Sequence, residues 1–485
     1  MDNNNSKKWT IFIVIISATF MSTLDGSIVN VALPKMAEAL NVTTSKIQLV
    51  VTSYLITISA IILIFGRLGD MFGKTKIFKL GLSLFTFGSL LCGISDSFYV
   101  LVLARVVQAV GAAGTMANNQ GIVTEVFPEN ERGKALGLIG TAVALGSLVG
   151  PGIGGIIVGA FNWKFIFLIN VPIGAVALFY AFRLLPHSSK KGNGKIDILG
   201  ALLFIFTIVP LFMSLNEGVN IGFTSPIILT GFVIAVICFV LFIIVEKKKS
   251  EPLIQLDMFK NKLFSISIFC GFISFVAIFC HNIILPFYLQ DLMAFSPMRS
   301  GIILMVYPLI LTVVAPISGS LSDKIGSEML TFIGLVVASI GLLLMATLND
   351  NSSVIVMVIF IGIMSIGMGI FQSPNNSLVM STVPKSKLGI AGSINALVRN
   401  LGIVSGIALS TTILYTRMSS KIGYRVNDYV PGRNDVFIYG MRYVYIAAGS
   451  ICMIGAIITF YRMHRNSVQM KNNDVESEEY GYSEN

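Results

Sequence analysis

An aspartate and an arginine are the residues of this sequence best suited to chemistry. Asp25 is the only acid in an apolar stretch that runs from Trp9 to Leu33, and Arg105 lies alone in a second apolar stretch. A charged side chain at membrane depth is costly unless it is paired, hydrated or protonated, so its presence there indicates a function. Asp25 is therefore a candidate proton carrier.

The composition indicates what surrounds these two residues. The 485-residue chain is 54% hydrophobic and only 12% charged, whereas soluble domains are roughly 25% charged. Fourteen windows of about twenty apolar residues, the length that spans a bilayer, can be counted along it. We expect an all-α membrane protein with the lipid bilayer as its surroundings.

Basic residues predict the orientation of the chain. An even number of spans places both termini on one side, and clusters such as Lys247, Lys248 and Lys249 mark the cytoplasmic loops. The last outer loop is also basic and is an exception to this rule. Because most of the basic residues lie in the presumed cytoplasmic loops, the net charge of +10 reflects topology and argues against a nucleic-acid partner. We expect a multi-pass protein of the cell (plasma) membrane with both termini in the cytoplasm.

The two halves of the chain repeat. A shift of 256 residues places Asn119, Gly146 and Gly150 on Asn375, Gly402 and Gly406. The repeat predicts a six-helix bundle in 1–190 and another in 251–466, with two inserted spanning helices in 191–250. The acidic tail, 467–485, is predicted to be disordered. Two bundles of this kind enclose a central site, which indicates a transporter.

Depth arithmetic places the two charged residues at one level of the membrane. At about 1.5 Å per residue, Asp25 and Arg105 each lie roughly 12 to 14 Å from the outer end of their helices. One stripe of the second helix also carries Gln108, Met116 and Asn119, which predicts a polar face toward a cavity. A static ion pair, or capping of backbone groups, is the structural alternative to proton coupling.

Three motifs resemble known ones. The loop after the second span has Gly66, Arg67, Asp70, Gly73 and Lys74, and it resembles the cytoplasmic loop signature of the major facilitator superfamily. The fifth span resembles the antiporter motif of proton-coupled exporters in that superfamily, through Gly146, Gly150, Pro151, Gly154 and Gly155. The run 24–34 in the first span resembles the signature of the fourteen-helix drug:proton antiporters.

These resemblances imply a fold and a function. They imply the major facilitator fold, a cytoplasmic gate in the loop motif, and export of varied hydrophobic drugs, antiseptics or dyes against an inward flow of protons. A dedicated exporter of a lipid, fatty acid or metabolite is the alternative. A membrane sensor without transport is the alternative from a different class.

Polar and aromatic residues in the later spans are candidates for the substrate cavity. Small lipophilic compounds are the expected substrates, and the proton is the expected coupling ion. Arg399 has no acid in the spans of its own half; backbone carbonyls, water, an anionic ligand group and Asp25 all remain possible partners. The cavity candidates besides Asp25 are Gln108, Met116, Asn119, His281, Asn282, Tyr288, Tyr307, Gln372, Asn375, Asn376, Asn395 and Arg399.

Other chemistry is not indicated. The five cysteines lie in apolar spans without the spacing of metal ligands, and the three histidines are scattered. We therefore expect neither an enzyme nor a metal site nor a cofactor. Both halves lie in one chain, so a monomer is sufficient for transport.

Overall fold

The computed structural model describes residues 2–185, 197–249, 252–383 and 388–481. In these ranges the chain is helical, and no strand occurs there. A lipid-exposed segment has no water to bond its backbone, and a helix satisfies those groups internally. Fourteen helical segments are long and apolar enough to cross a membrane, which confirms the predicted number. We call the face predicted to be cytoplasmic the inner face and the opposite one the outer face.

The first half contains eight α-helices. Two of them, α2 and α7, are single turns that lead into the longer helices α3 and α8. The bounds are α1 (Asp2–Leu40), α2 (Thr44–Ile47), α3 (Leu49–Phe72), α4 (Lys74–Ile94), α5 (Phe98–Val126), α6 (Glu129–Ala160), α7 (Phe165–Leu168) and α8 (Asn170–Leu184).

Two helices follow between the halves, α9 (Ile198–Ile221) and α10 (Pro226–Lys248). They pack on each other, and α9 also contacts α3 and a helix of the second half. The inserted pair therefore lies against the seam between the halves.

The second half contains seven α-helices. A 3₁₀ turn, Leu256–Lys260, precedes them, and a π-helical turn, Tyr288–Leu292, follows the first. The bounds are α11 (Lys262–Phe287), α12 (Pro297–Leu304), α13 (Val306–Ile325), α14 (Ser327–Met345), α15 (Val354–Ser381), α16 (Leu388–Ile422) and α17 (Asn434–Gly481). The helix that contacts α9 is α16.

The last helix extends beyond the last spanning segment. The backbone of α17 is helical to Gly481, whereas the spanning segment ends at Met463. The expected disorder of 467–485 stays a prediction.

The halves meet through a small number of helix pairs. Helix α6 packs against α12, and α3 packs against α16. Within each half the helices form denser pairs, such as α1 with α6 and α11 with α16. The centre of the molecule is thus bounded by helices from both halves, and Asp25 and Arg399 lie on two of these helices.

Candidate functional site

Asp25 lies in the interior of the first half. Its side chain is 0% exposed, and three side chains donate hydrogen bonds to its carboxylate. Nη1 of Arg105 lies 2.5 Å from Oδ2, whereas Nε2 of Gln108 and Nδ2 of Asn170 lie 2.9 Å and 3.0 Å from Oδ1. Asp25 and Arg105 therefore meet, as their depths predict, and both carboxylate oxygens are occupied.

Arg105 is held from several sides. Its Nε donates to the backbone carbonyl of Val50 at 2.9 Å, and Nη1 also donates to Oε1 of Gln108 at 2.6 Å. The guanidinium lies 4.1 Å from the ring centre of Tyr54 and 5.5 Å from that of Phe167. Residues of α1, α3, α5 and α7 thus hold the guanidinium of Arg105 by an ion pair, by hydrogen bonds and by cation–π contacts.

Gln108 extends this network to α4. Its Nε2 donates to Oγ of Ser89 at 2.8 Å as well as to Asp25, and Sγ of Cys92 lies 3.7 Å from its Oε1. Gln108 is 0% exposed. A residue predicted to line the cavity therefore serves here as a buried link between the acid and its neighbours.

Asn170 was not identified from the sequence. It begins α8 and is fully buried, and its own Oδ1 has no hydrogen-bond partner among the described residues. The available signal was a polar amide in an otherwise apolar span, just before Pro172. Uncharged amides are tolerated at many positions in membrane helices, so this signal is weak without the fold.

The arrangement can respond to a proton. A buried ion pair is maintained by mutual attraction and by hydrogen bonds that offset the cost of desolvation. Protonation of Asp25 removes the negative charge, and the guanidinium of Arg105 then loses its counter-charge. Asp25 thus has a charged and a neutral form that differ by one proton, and only the charged form balances Arg105.

The remaining stripe residues of α5 have different neighbours. Nδ2 of Asn119 donates to Oγ1 of Thr19 at 2.8 Å, so this amide joins α5 to α1. Met116 is partly buried and packs against the apolar core of the first half. These two residues lie farther toward the inner end of α5 than the Asp25 network.

Several cavity candidates in the second half lie inside helix packing instead. Nδ1 of His281 lies 3.2 Å from the hydroxyl of Tyr445 on α17, and His281 is only 1% exposed. The hydroxyl of Tyr288 donates to the carbonyl of Asn349, and Nδ2 of Asn375 donates to the carbonyl of Ser267. The prediction that His281, Tyr288 and Asn375 line a cavity does not match these positions. A helix that is apolar on all sides has no sequence periodicity to show which of its faces points to the centre.

The other candidates of the second half are accessible. Nδ2 of Asn395 donates to Oδ1 of Asn376 at 3.1 Å, and Gln372 is hydrogen-bonded to Tyr307. Asn376 is exposed, whereas the other three and Asn282 are partly buried. Helices α13, α15 and α16 therefore present an uncharged polar surface that the packing leaves open.

The loop motif after α3 joins three helices. Nζ of Lys74 lies 3.0 Å from Oε1 of Glu125 on α5 and 3.9 Å from Oδ1 of Asp70. Gly73 has a φ of 100°, which glycine adopts without a steric penalty, and separates α3 from α4. Glu125 is the part of this cluster that the motif alone does not identify.

The glycine motif of α6 has two faces. Gly146, Gly150 and Gly154 lie against residues 20–28 of α1, and Oγ of Ser27 donates to the carbonyl of Gly146 at 3.0 Å. A Cβ atom on Gly155 would lie 2.6 Å from the carbonyl oxygen of Pro297 on α12. The carbonyl oxygen of Pro151 lies 2.4 Å from the Cβ position of Gly301. The motif thus packs α6 on the helix of Asp25 and also on the second half.

Polar contacts close the outer side between the halves. Nε2 of Gln290 donates to the carbonyl of Val31 at 3.0 Å, and Oγ1 of Thr44 donates to Oδ1 of Asp428 at 2.9 Å. Thr44 also contacts the hydroxyl of Tyr415. These contacts join α1 and α2 to the second half at their outer ends.

Comparisons with known proteins agree with the fold and the motifs. Residues 15–407 match the family model described as Major Facilitator Superfamily, and the chain belongs to that family. It is therefore a multi-pass membrane transporter of this superfamily and not an enzyme.

Curated relatives are similar over most of their length. The chain is 37% identical to "Riboflavin transporter RibZ" of Clostridioides difficile, over 95% of this chain and 98% of that protein. It is 30% identical to "Multidrug transporter protein MdtP" of Bacillus subtilis, over 88% and 79%. The solved structure of a POT family transporter with a bound peptide has a TM-score of 0.70 at 15% identity and covers 94% of this chain and 96% of that one.

Proposed function

We propose that this transporter exports structurally varied hydrophobic drugs, antiseptics or dyes and is driven by inward proton flow. The observation that carries the proposal is the buried contact between Asp25 and Arg105. Relatives named as a multidrug resistance protein and a multidrug transporter, at 30% identity, support the substrate range. The proton is the coupling ion, and no other cofactor is needed.

The proposed cycle uses the two states of this contact. When the halves part on the outer side, water reaches Asp25 and the carboxylate takes up a proton. When the halves part on the inner side, Asp25 releases the proton to the cytoplasm, and the ionised form favours substrate binding. The donors on Arg105, Gln108 and Asn170 stabilise the charged form.

A specific relative favours a second candidate. The similarity to a protein named as a riboflavin transporter, at 37% identity, supports a carrier dedicated to one metabolite of this kind. A lipid or fatty acid is another possible dedicated cargo. A sensor without transport is the remaining alternative and predicts no substrate-linked proton movement.

The proposed setting is the plasma membrane, with both termini in the cytoplasm. Clusters of basic residues in the presumed cytoplasmic loops support this orientation. One chain contains both halves, so we propose that the monomer is the working unit.

Reconstituted vesicles test the coupling. The purified protein is placed in liposomes, and counterflow of fluorescein and of tetramethylrhodamine ethyl ester is measured with and without an imposed pH gradient. We expect the gradient to accelerate flux in the wild type and to have no effect in Asp25→Asn. Asp350→Asn, in an exposed outer loop, is the matched control and should behave like the wild type. Gradient-driven flux in Asp25→Asn would remove Asp25 from the mechanism.

A competition panel separates the two candidates. Riboflavin and a set of chemically unrelated hydrophobic drugs are added to the same vesicles. Competition by several unrelated compounds supports the multidrug proposal. Competition by riboflavin alone supports the dedicated carrier. If protons move but none of these compounds is transported, both candidate functions are contradicted.

A further inference from the structure

Arg399 is a cation within the spanning part of the second half, Ile394–Ile422. It lies on α16, eleven residues after Leu388, which places it about 16 Å along the helix from that end. Its side chain is only partly buried. In the described parts of the chain it makes neither a hydrogen bond nor an ion pair, and no charged group there interacts with it.

Asp25 does not supply the missing counter-charge. Its Oδ2 accepts from Arg105, and its Oδ1 accepts from both Gln108 and Asn170. The carboxylate is also 0% exposed, so it is closed to a further partner in this conformation. The acid is neutralised by the arginine of its own half, and among the described residues Arg399 has no acid beside it.

The surroundings of Arg399 suit an organic ligand. One turn toward the inner end, Asn395 and Asn376 form the uncharged polar pair described above. One turn toward the outer end, Gly402 lies against the backbone of Phe272 and the side chain of Phe275 on α11. Along α16, Arg399 therefore lies between a neutral hydrogen-bonding pair and a contact with two phenylalanines of α11.

An arginine in this position has a high cost without a partner. Removing a charge from bulk water is unfavourable unless a counter-charge and hydrogen bonds replace the lost hydration. The planar guanidinium presents paired N–H donors that match a carboxylate or sulfonate. A cationic ligand beside it would instead be repelled.

We propose that Arg399 binds the anionic group of the transported compound and that the preferred cargo is an amphiphilic anion with an aromatic or aliphatic body. The inference rests on the proposed export function, because the ligand is the cargo. It narrows the substrate class, since compounds with a single positive charge become the disfavoured class.

Equilibrium binding tests the proposal without any proton gradient. Fluorescence anisotropy of the purified full-length protein is measured with fluorescein, an anion, and with tetramethylrhodamine ethyl ester, a cation with the same type of ring system. We expect the wild type to bind fluorescein more tightly. Arg399→Gln should weaken fluorescein binding by about tenfold or more, whereas binding of the cation should stay the same or strengthen.

Two further variants separate charge from packing. Arg399→Lys retains the charge and should keep most of the preference for the anion. Arg442→Gln removes an exposed arginine and should leave both affinities unchanged. Thermal unfolding of each variant shows whether it is folded.

Three results would overturn the proposal. Equal loss of both dyes in Arg399→Gln would assign Arg399 to packing, and unchanged fluorescein binding would remove it from the site. No binding of fluorescein to the wild type also refutes the anion preference. If the pH gradient does not drive flux but fluorescein still binds and the binding depends on Arg399, only the proton coupling is refuted.

Discussion

Nδ2 of Asn170 lies 3.0 Å from Oδ1 of Asp25 and donates a hydrogen bond that joins the first turn of α8 to the middle of α1. The other amide atom, Oδ1 of Asn170, is buried and has no partner in the part of the chain that the structure describes. Leaving this acceptor unsatisfied has a free-energy cost. The amide thus gives its donor to the carboxylate, and α8 contributes to the surroundings of Asp25.

Removal of this donor should affect both stability and transport. A hydrogen bond to a charged group contributes about 1.5–3 kcal/mol, so we expect Asn170→Ala to lower the free energy of unfolding by that amount. Gradient-driven flux should fall, because the ionised form of Asp25 loses one of its three donors. Thermal unfolding and vesicle flux are measured beside Asn351→Ala, an exposed control. If Asn170→Ala has wild-type stability and wild-type flux, the hydrogen bond contributes to neither folding nor transport.

The ion pair can be tested by a double-mutant cycle. Removing one partner leaves an uncompensated buried charge, which costs about 3–5 kcal/mol. We therefore expect Arg105→Gln to be strongly destabilised and Asp25→Asn with Arg105→Gln to recover much of the loss in thermal unfolding. The double variant should remain without gradient-driven flux. Additive losses would indicate that the two side chains do not interact energetically.

The sequence predicted those parts of the site that carry charge. Asp25 and Arg105 stand out because ions are expensive in an apolar span, and helix depth is simple arithmetic, so their contact could be predicted. Asn170 could not, because an amide in a membrane helix has many possible partners. Glu125 was not predicted for a related reason. Acids are common at helix ends, and only the fold shows that this one lies beside Lys74.

Cavity residues were harder to predict than buried charges. Asn395 and Asn376 do lie on an open polar surface, whereas His281 and Tyr288 are packed between helices. Spans that are hydrophobic on all sides carry no period that would fix which residues face the centre. The number of spans depends only on length and apolarity, and it was therefore predicted correctly.

The loop motif contains two glycines that should respond differently to alanine. A Cβ atom on Gly69 would lie 1.8 Å from Oδ1 of Asn118, whereas one on Gly66 would have no described residue within 4 Å. Asn118 is buried, and its Nδ2 donates to the carbonyl of Gly114 at 2.9 Å, which restricts its movement. We expect Gly69→Ala to cost about 1–3 kcal/mol of stability and to reduce flux. Gly66→Ala should match the wild type; an equal loss in both variants would contradict the steric explanation.

The glycine motif offers a matched pair for the outer contact between the halves. A Cβ atom on Gly155 would lie 2.6 Å from the carbonyl oxygen of Pro297, a backbone atom that cannot rotate away. The equivalent atom on Gly159, one turn farther along α6, would meet only Met298 at 3.8 Å, which is ordinary contact. Gly155→Ala should therefore separate α6 from α12 on the outer side, and Gly159→Ala should not.

Two measurements check this separation. We expect flux in Gly155→Ala to fall by about tenfold or more, which corresponds to ~1.4 kcal/mol, because the outer side no longer closes fully. A cysteine placed at Gln290, whose side chain bonds to Val31, should then react faster with a membrane-impermeant maleimide added from the outer face. Gly159→Ala should leave the flux and the labelling rate near wild type. Slow labelling in Gly155→Ala, together with lost flux, would show that the close approach serves helix packing and not closure of the outer side.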